Sequence, residues 1–201
     1  MQVFFQCFAR FSDRVVFGAE LPVVFSIELM VLPEHRYAKN PVDLAILQES
    51  QSVIRVRPGL IITEHRTGHI LANAGIDASN TGVDAASGDD VVLLWPHDPD
   101  ASARALSEAV SRALGYHVPV VINDSLGRPW RMGTVGFAIG VAGLEPVWDQ
   151  VGERALDGRA LQVTAPAMAD ALAAAASPVQ GETSQGTPAG WVEGCPPRAN
   201  E

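Results

Sequence analysis

The hydrophobic pattern changes character along the chain. Over residues 1–40 neither helical nor strand period dominates, although Phe4, Phe5, Phe8, Phe11, Phe17 and Phe25 crowd there. From Pro41 the pattern becomes orderly. Val42, Leu44, Ala45 and Leu47 predict a short helix ending near Ser50. Val53–Val56 and Leu60–Thr63 predict strands, divided by the turn-forming pair Pro58-Gly59. His69–Ala72 predicts another short strand that runs into an Asn73-Ala74-Gly75 turn. Asn80 to Asp90 is rich in Asp and Gly and predicts a loop. Val91–Trp95 is a continuous apolar run, the mark of a buried strand.

Leu106, Val110 and Leu114 recur at i, i+4 and i+8, which predicts an amphipathic helix. Asp100 or Ser102 is the expected cap and Gly115 the expected terminator. Val118–Ile122 and Val135–Val141 predict strands. Met168–Ala176 is nearly all alanine and predicts a closely packed helix that stops at Ser177-Pro178. Gln180 to Pro188 then reads as a polar loop, and Pro196 to Glu201 as a frayed tail. There is no internal repeat. Strands and helices do not alternate strictly, so the expected class is α+β rather than a doubly wound sheet.

Composition narrows the function. With 201 residues, 47% of them hydrophobic, the chain has enough core for one large domain or two small ones. Fourteen basic residues against 23 acidic ones give a net charge of −9. That argues against general binding to nucleic acid or an anionic membrane, and requires any phosphate to be met by a metal ion, an Arg pair or backbone amides. Cys7 and Cys195, with no Cys/His spacing, argue against a disulfide scaffold or structural zinc. The apolar start has no positive region before it, and Glu20, Pro22 and Glu28 interrupt the run from Val15 to Leu32. A soluble, cytoplasmic protein with no membrane or nucleic-acid partner is expected.

Two segments carry chemistry. The first, Asn73 to Asn80 (NAGIDASN), places Asp77 and Asn80 after a strand, beside a glycine that lets backbone approach a ligand. The second, Asn123 to Arg131 (NDSLGRPWR), ends a buried-strand pattern in an acid, a hydroxyl, a Gly turn and two arginines three apart. Asp plus Ser, with a second Asp elsewhere, suits a hard divalent cation, and Arg128 and Arg131 suit an anionic oxygen. Metal plus Arg is the apparatus of phosphoryl chemistry. Asp-Ser-Leu-Gly is equally an ordinary turn, and Arg-Pro-Trp-Arg a surface stack. Gln180 to Gly186 reads either as a loop over a nucleotide or as a linker. There is no GxxxxGK[ST], and the only lysine is Lys39, so a P-loop is excluded.

These stretches resemble a known family, the GTP-dependent coenzyme F-420-0:L-glutamate ligases. The matching text is RVRPGLIITEHRTGHILANAGIDASN (Arg55–Asn80), HDPDASAR (His97–Arg104), VINDSLGRPWRMGTVGFAIGVAGL (Val121–Leu144), DGRALQVT (Asp157–Thr164) and GETSQGTP. The likeness runs from about Lys39 to Gly194. It implies an α+β γ-glutamyl ligase fold that forms an intertwined homodimer. It also implies GTP bound with two divalent cations, Mg²⁺ or Mn²⁺. The implied reaction activates the carboxylate of a lactyl-phosphate deazaflavin precursor as an acyl phosphate, which the amine of L-glutamate attacks to form an amide.

Residue by residue, the resemblance makes Asp77 and Asp124 first-metal ligands, and Ser125 and Glu182 second-metal ligands. Asn80 and the loop holding Gly181, Glu182, Thr183, Ser184, Gln185 and Gly186 become nucleotide contacts. Arg128 and Arg131 are assigned to phosphate from their chemistry and not from the family. The chain is thus expected to comprise a divergent or truncated N-terminal segment (1–40), a ligase core (41–194) and a tail (195–201). The family's usual N-terminal strand with a Ser-Lys pair has no counterpart here. Val151 and Ala155 stand where Arg and Asp are common. Ala171 follows Asp170 where Glu is usual, and Ser184-Gln185 replace an acid pair. These departures keep a second reading open, an inactive relative that only binds metal or nucleotide, or only dimerises.

Overall fold

The computed structural model describes residues 23–28, 36–39, 42–79, 81 and 91–194. The chain is α+β. It divides into two compact units, one of residues 1–33, 99–124 and 136–201, the other of residues 34–98 and 125–135. The elements in chain order are β1 (Val23–Glu28), β2 (Arg36–Lys39), α1 (Val42–Glu49), β3 (Ser50–Arg57), β4 (Leu60–His65), β5 (Ile70–Ala72), β6 (Val91–Leu94), α2 (Pro99–Leu114), β7 (Val120–Gly127), β8 (Thr134–Ala142), α3 (Met168–Gln180) and β9 (Ala189–Glu193). Among the described residues no helix is long and apolar enough to cross a membrane.

The first unit is built on a four-stranded sheet in the order β8-β7-β1-β9. β1 lies parallel to β7, with Phe25 opposite Val120, and antiparallel to β9, with Phe25 opposite Trp191. The Phe-rich start therefore contributes a central strand that its period did not announce. Val118, Val120, Val121 and Ile122 are fully buried, as their unbroken apolar run requires. α3 packs on this sheet, contacting β1 and β9, and buries Ala169, Leu172, Ala173 and Ala176, with Leu172 and Ala173 in one core cluster with Val121 and Leu144. The approach is close because both surfaces are small. A Cβ at Gly136 would overlap the Ser177 side chain and the Ala173 carbonyl, and one at Gly190 would lie 3.3 Å from the Ala176 methyl.

Two helix ends differ from expectation. α2 starts at Pro99, whose fixed φ and missing N–H suit a first helical position. Asp100 and Ser102 therefore lie inside the helix rather than capping it, and Asp100 Oδ1 instead accepts the Val141 amide of β8 (2.8 Å). α3 does not stop at Ser177. It runs through Pro178 to Gln180, and Gly181 in left-handed geometry ends it, donating its amide to the Ser177 carbonyl (2.8 Å). Pro178 removes one helical hydrogen bond only, on an exposed face of the last turn, where the loss is small.

The second unit holds the β2-β6 ribbon, α1 and a three-stranded sheet in the order β3-β4-β5. Pro58-Gly59 makes the β3–β4 hairpin as expected, with Arg57 opposite Leu60. β3 is an edge strand and is exposed along nearly its whole length, Val53, Ile54 and Val56 included. Ala45, Val92 and Leu94 form a small core beneath α1. Residues 82–90, most of the expected loop, and the tail from 195 lie outside the described residues, as does Asn80.

Candidate functional site

The NAGID segment is a left-handed bend held from several sides. Asn73, Ala74 and Gly75 have φ of 50°, 53° and 67°. Asparagine tolerates this region and glycine is free in it, whereas alanine loses about 1–2 kcal/mol there. Local contacts offset that loss. Ala74 is only 1% exposed, and Asn73 Oδ1 accepts the Ile61 amide of β4 (2.9 Å). The missing side chain of Gly75 admits the fully buried Trp95, whose ring would lie 2.6 Å from a Cβ at that position.

The chain leaves this bend extended and pairs with β6. Asp77 donates to the Leu93 carbonyl (3.1 Å) and accepts the Leu93 amide (2.7 Å). Its Oδ1 accepts the Ser79 amide (2.7 Å), and its other carboxylate oxygen has no partner among the described residues. A hydrogen-bonded backbone thus presents one carboxylate oxygen that no described residue engages.

Beneath Trp95 lies a polar cluster that sequence reasoning missed. His65 and His69 pack their rings on Trp95, with centroids 4.7 and 5.3 Å away. Thr67 Oγ1 bridges the two Nδ1 atoms at 2.8 Å each. Arg66 donates Nε to Glu49 (3.0 Å), and its Nη atoms donate to the carbonyls of Pro96 and His97 (2.7 Å for the latter). It thereby pins the chain just after β6. His65 is fully buried, and its Nε2 makes no hydrogen bond. Burial, with Arg66 adding to it, pushes its pKa down to about 4. His65 and His69 stand four apart across a Gly68 turn and share no helical face, so their spacing alone gives no sign of a shared role. The signal that could have found one was the lone buried-type Trp95 at the end of an apolar run.

Asp124 and Ser125 do not sit in a turn. β7 continues through them to Gly127, so the turn reading of Asp-Ser-Leu-Gly is wrong, and both side chains belong to the end of a strand. A buried amide pair fixes this strand end. Asn123 Nδ2 donates to Gln180 Oε1 and Gln180 Nε2 donates to Asn123 Oδ1, both at 3.1 Å. Gln180 also reaches the Pro188 carbonyl at 3.5 Å. The pair ties the residue before Asp124 to the residue before Gly181, and so joins the roots of two predicted site segments. Reciprocal amides leave neither buried group unsatisfied, which is why two polar residues are accommodated here.

The 181–186 loop is largely exposed. Gln185 Oε1 organises it by accepting the Thr183 amide (2.8 Å) and the Thr183 hydroxyl (2.9 Å). Glu182 and Ser184 are exposed. Arg128 to Arg131 form the turn after β7, closed by the Arg131 amide on the Arg128 carbonyl (3.3 Å). Neither guanidinium has an ion pair or hydrogen bond among the described residues. Among the described residues no three or more His, Cys, Asp or Glu side chains are arranged so that they could hold a metal ion by themselves. Val151 and Ala155 lie on a two-stranded ribbon around the Arg154–Ala160 bridge, with Val151, Leu156 and Val163 exposed. Ala171 is exposed on α3.

Comparison with known proteins gives the family. A coenzyme F420:L-glutamate ligase from Methanothermobacter thermautotrophicus is 44% identical over 191 residues, 92% of this chain and 73% of that protein. One from Methanopyrus kandleri is 45% identical over 163 residues, 81% of this chain and 62% of its own length. One from Natronomonas pharaonis is 46% identical over 146 residues, 72% of this chain and 52% of its own length. The chain thus spans less than two thirds of the latter two relatives. The sequence model of F420-0:Gamma-glutamyl ligase matches residues 33–194, both signature segments included. The chain belongs to the F420-0:gamma-glutamyl ligase family.

Proposed function

We propose that the protein ligates L-glutamate through an amide bond to a lactyl-phosphate deazaflavin precursor in coenzyme F-420 biosynthesis, with GTP and a divalent metal. The observation that supports this most is the NAGID bend, whose buried scaffold presents an unengaged Asp77 oxygen. In this reading Asp77, Asp124, Ser125 and Glu182 supply the metal donors. All are hard oxygens, the donor set that suits Mg²⁺ or Mn²⁺ rather than a softer ion. When bound, the metal neutralises charge on the transferred phosphoryl group. Asn80 and the loop from Gly181 to Gly186 contact the nucleotide. Arg128 and Arg131 present guanidinium forks to anionic oxygen at the reacting end of the substrate. The carboxylate takes the γ-phosphoryl group and GDP leaves. The glutamate amine then attacks the acyl carbon, the amide forms, and phosphate departs.

In the same reading the protein is a cytoplasmic homodimer. The exposed apolar residues of β3, on an edge strand, and of the ribbon around Arg154 are the surfaces a second copy would cover.

Calorimetric binding of GDP with and without Mn²⁺, on the native chain and on Asp77→Ala/Asp124→Ala, tests the site. Manganese-dependent binding that the double variant loses, followed by amide-linked glutamate in a ligase assay, is the expected result. Metal-dependent binding without product would favour the inactive relative. No binding to the folded native chain would overturn the reading.

A further inference from the structure

One tryptophan stands where folding gives no reason for it. The Arg128-Pro129-Trp130-Arg131 turn has proline second and a left-handed residue third, the arrangement in which glycine is the preferred third residue. Trp130 occupies that position with φ of 57°. A bulky side chain is strained there, and such strain persists where the position serves something other than stability. Burial offers no offset. Trp130 is fully exposed (101%), Met132 beside it is 98% exposed, and the indole has no ring contact or hydrogen bond among the described residues.

The surroundings are specific. Arg128 and Arg131 flank the indole with no acid partner among the described residues, in a chain of net charge −9. Arg128 Nε is buried and makes no hydrogen bond. A fully exposed aromatic between two guanidiniums that no described residue pairs complements a planar aromatic that carries negative charge. The ring supplies a stacking face, and the forks meet phosphate or carboxylate oxygens.

We infer that Trp130 is the stacking platform for the deazaflavin ring of the precursor, with Arg128 and Arg131 holding its anionic tail. The inference rests on the ligase reading for the identity of the ligand. Trp130 binds and orients this substrate and takes no part in proton or phosphoryl transfer. The nucleotide is the less fitting occupant, because its contacts are assigned to Asn80 and the 181–186 loop.

The test is fluorescence anisotropy of the lactyl-phosphate deazaflavin precursor titrated with the full chain, native, Trp130→Ala and Trp130→Phe. GDP binding with Mn²⁺ and size-exclusion chromatography are run on each. Stacking of this kind is worth about a tenfold change in affinity. Trp130→Ala is expected to weaken precursor binding about tenfold, and Trp130→Phe to restore most of it. GDP affinity should stay within about twofold, and the oligomeric state should not change. Native precursor affinity in Trp130→Ala, a loss confined to GDP, or a changed oligomer would overturn the inference. If the native chain does not bind the precursor, this inference fails too. If Trp130-dependent precursor binding is found without ligase product, the stacking role stands and the ligase reading fails. If product forms with an unchanged KM for the precursor in Trp130→Ala, the reverse holds.

Discussion

Two segments of the second unit put non-glycine residues in left-handed backbone, and they are treated in opposite ways. At Asn73–Gly75 the bend is supported by a side-chain hydrogen bond, a buried methyl and an indole packed where a Cβ would be. At Trp130 the same φ has neither burial nor a side-chain partner among the described residues. A strained bend that its neighbours support is a device for aiming a following residue, here Asp77. A strained bend without such support offers its side chain to something outside the fold.

The largest test removes the support. Gly75→Ala places a methyl group 2.6 Å from the Trp95 ring at φ of 67°. Left-handed alanine costs about 1–2 kcal/mol, and overpacking a filled site adds about 1–3 kcal/mol. A loss of about 3–4 kcal/mol in urea unfolding is expected. Near-native stability would show that Trp95 does not hold the bend. The same substitution should weaken Mn²⁺-dependent GDP binding, since it moves the base on which Asp77 sits.

A gentler test acts through pH. His65, packed on Trp95 and facing Glu49, Arg66 and His69, has its pKa lowered from 6.5 to about 4. The folded state therefore holds fewer protons than the unfolded state between those values. Its stabilising contribution is fully present above about pH 6.5 and is lost as pH falls toward 4. A fall from 6.5 to about 4 corresponds to about 3 kcal/mol as an upper bound, because Nε2 lies 3.6 Å from Glu49 Oε2 and can relax toward it. NMR titration of the His65 ring should give a midpoint near 4. A midpoint near 6.5 would mean that the ring is hydrated and that the Trp95 support is looser than its burial indicates.

Much of this was legible in the sequence, and the exceptions share a cause. The β3–β4 hairpin, the β5 strand, the NAG turn and the α2 terminator were all readable, because Pro, Gly and Asn act locally. β1 was not, since a central strand in a parallel pair is chosen by β7 and β9 and not by its own period. The Asp124-Ser125 pair looked like a turn for a similar reason. Its strand conformation depends on sheet neighbours and on the Asn123–Gln180 pair, 57 residues apart in sequence. Asp100 has the local signature of a cap, yet it serves the distant Val141 amide. Local signals single out the candidate segments, while the groups that hold them in place, Trp95, Arg66 and Gln180, act over distances that local signals do not carry.

The smallest effect is also the sharpest, because its sign is opposite to that of the others. If Trp130 is held for a ligand and not for the fold, replacing it with the residue the turn prefers should stabilise the free protein. Trp130→Gly relieves left-handed strain of about 1 kcal/mol and exposes no core, since the indole covers none. Glycine's extra freedom in the unfolded chain returns part of that gain. A net rise of up to about 1 kcal/mol in unfolding free energy is expected, together with weaker binding of the deazaflavin precursor. Gly75→Ala should lower stability and nucleotide binding together, whereas Trp130→Gly should raise stability while lowering precursor binding. A Trp130→Gly protein that is less stable than the native chain would mean that the indole packs against the protein in solution. The contrast between an aimed bend and an offered one would then collapse.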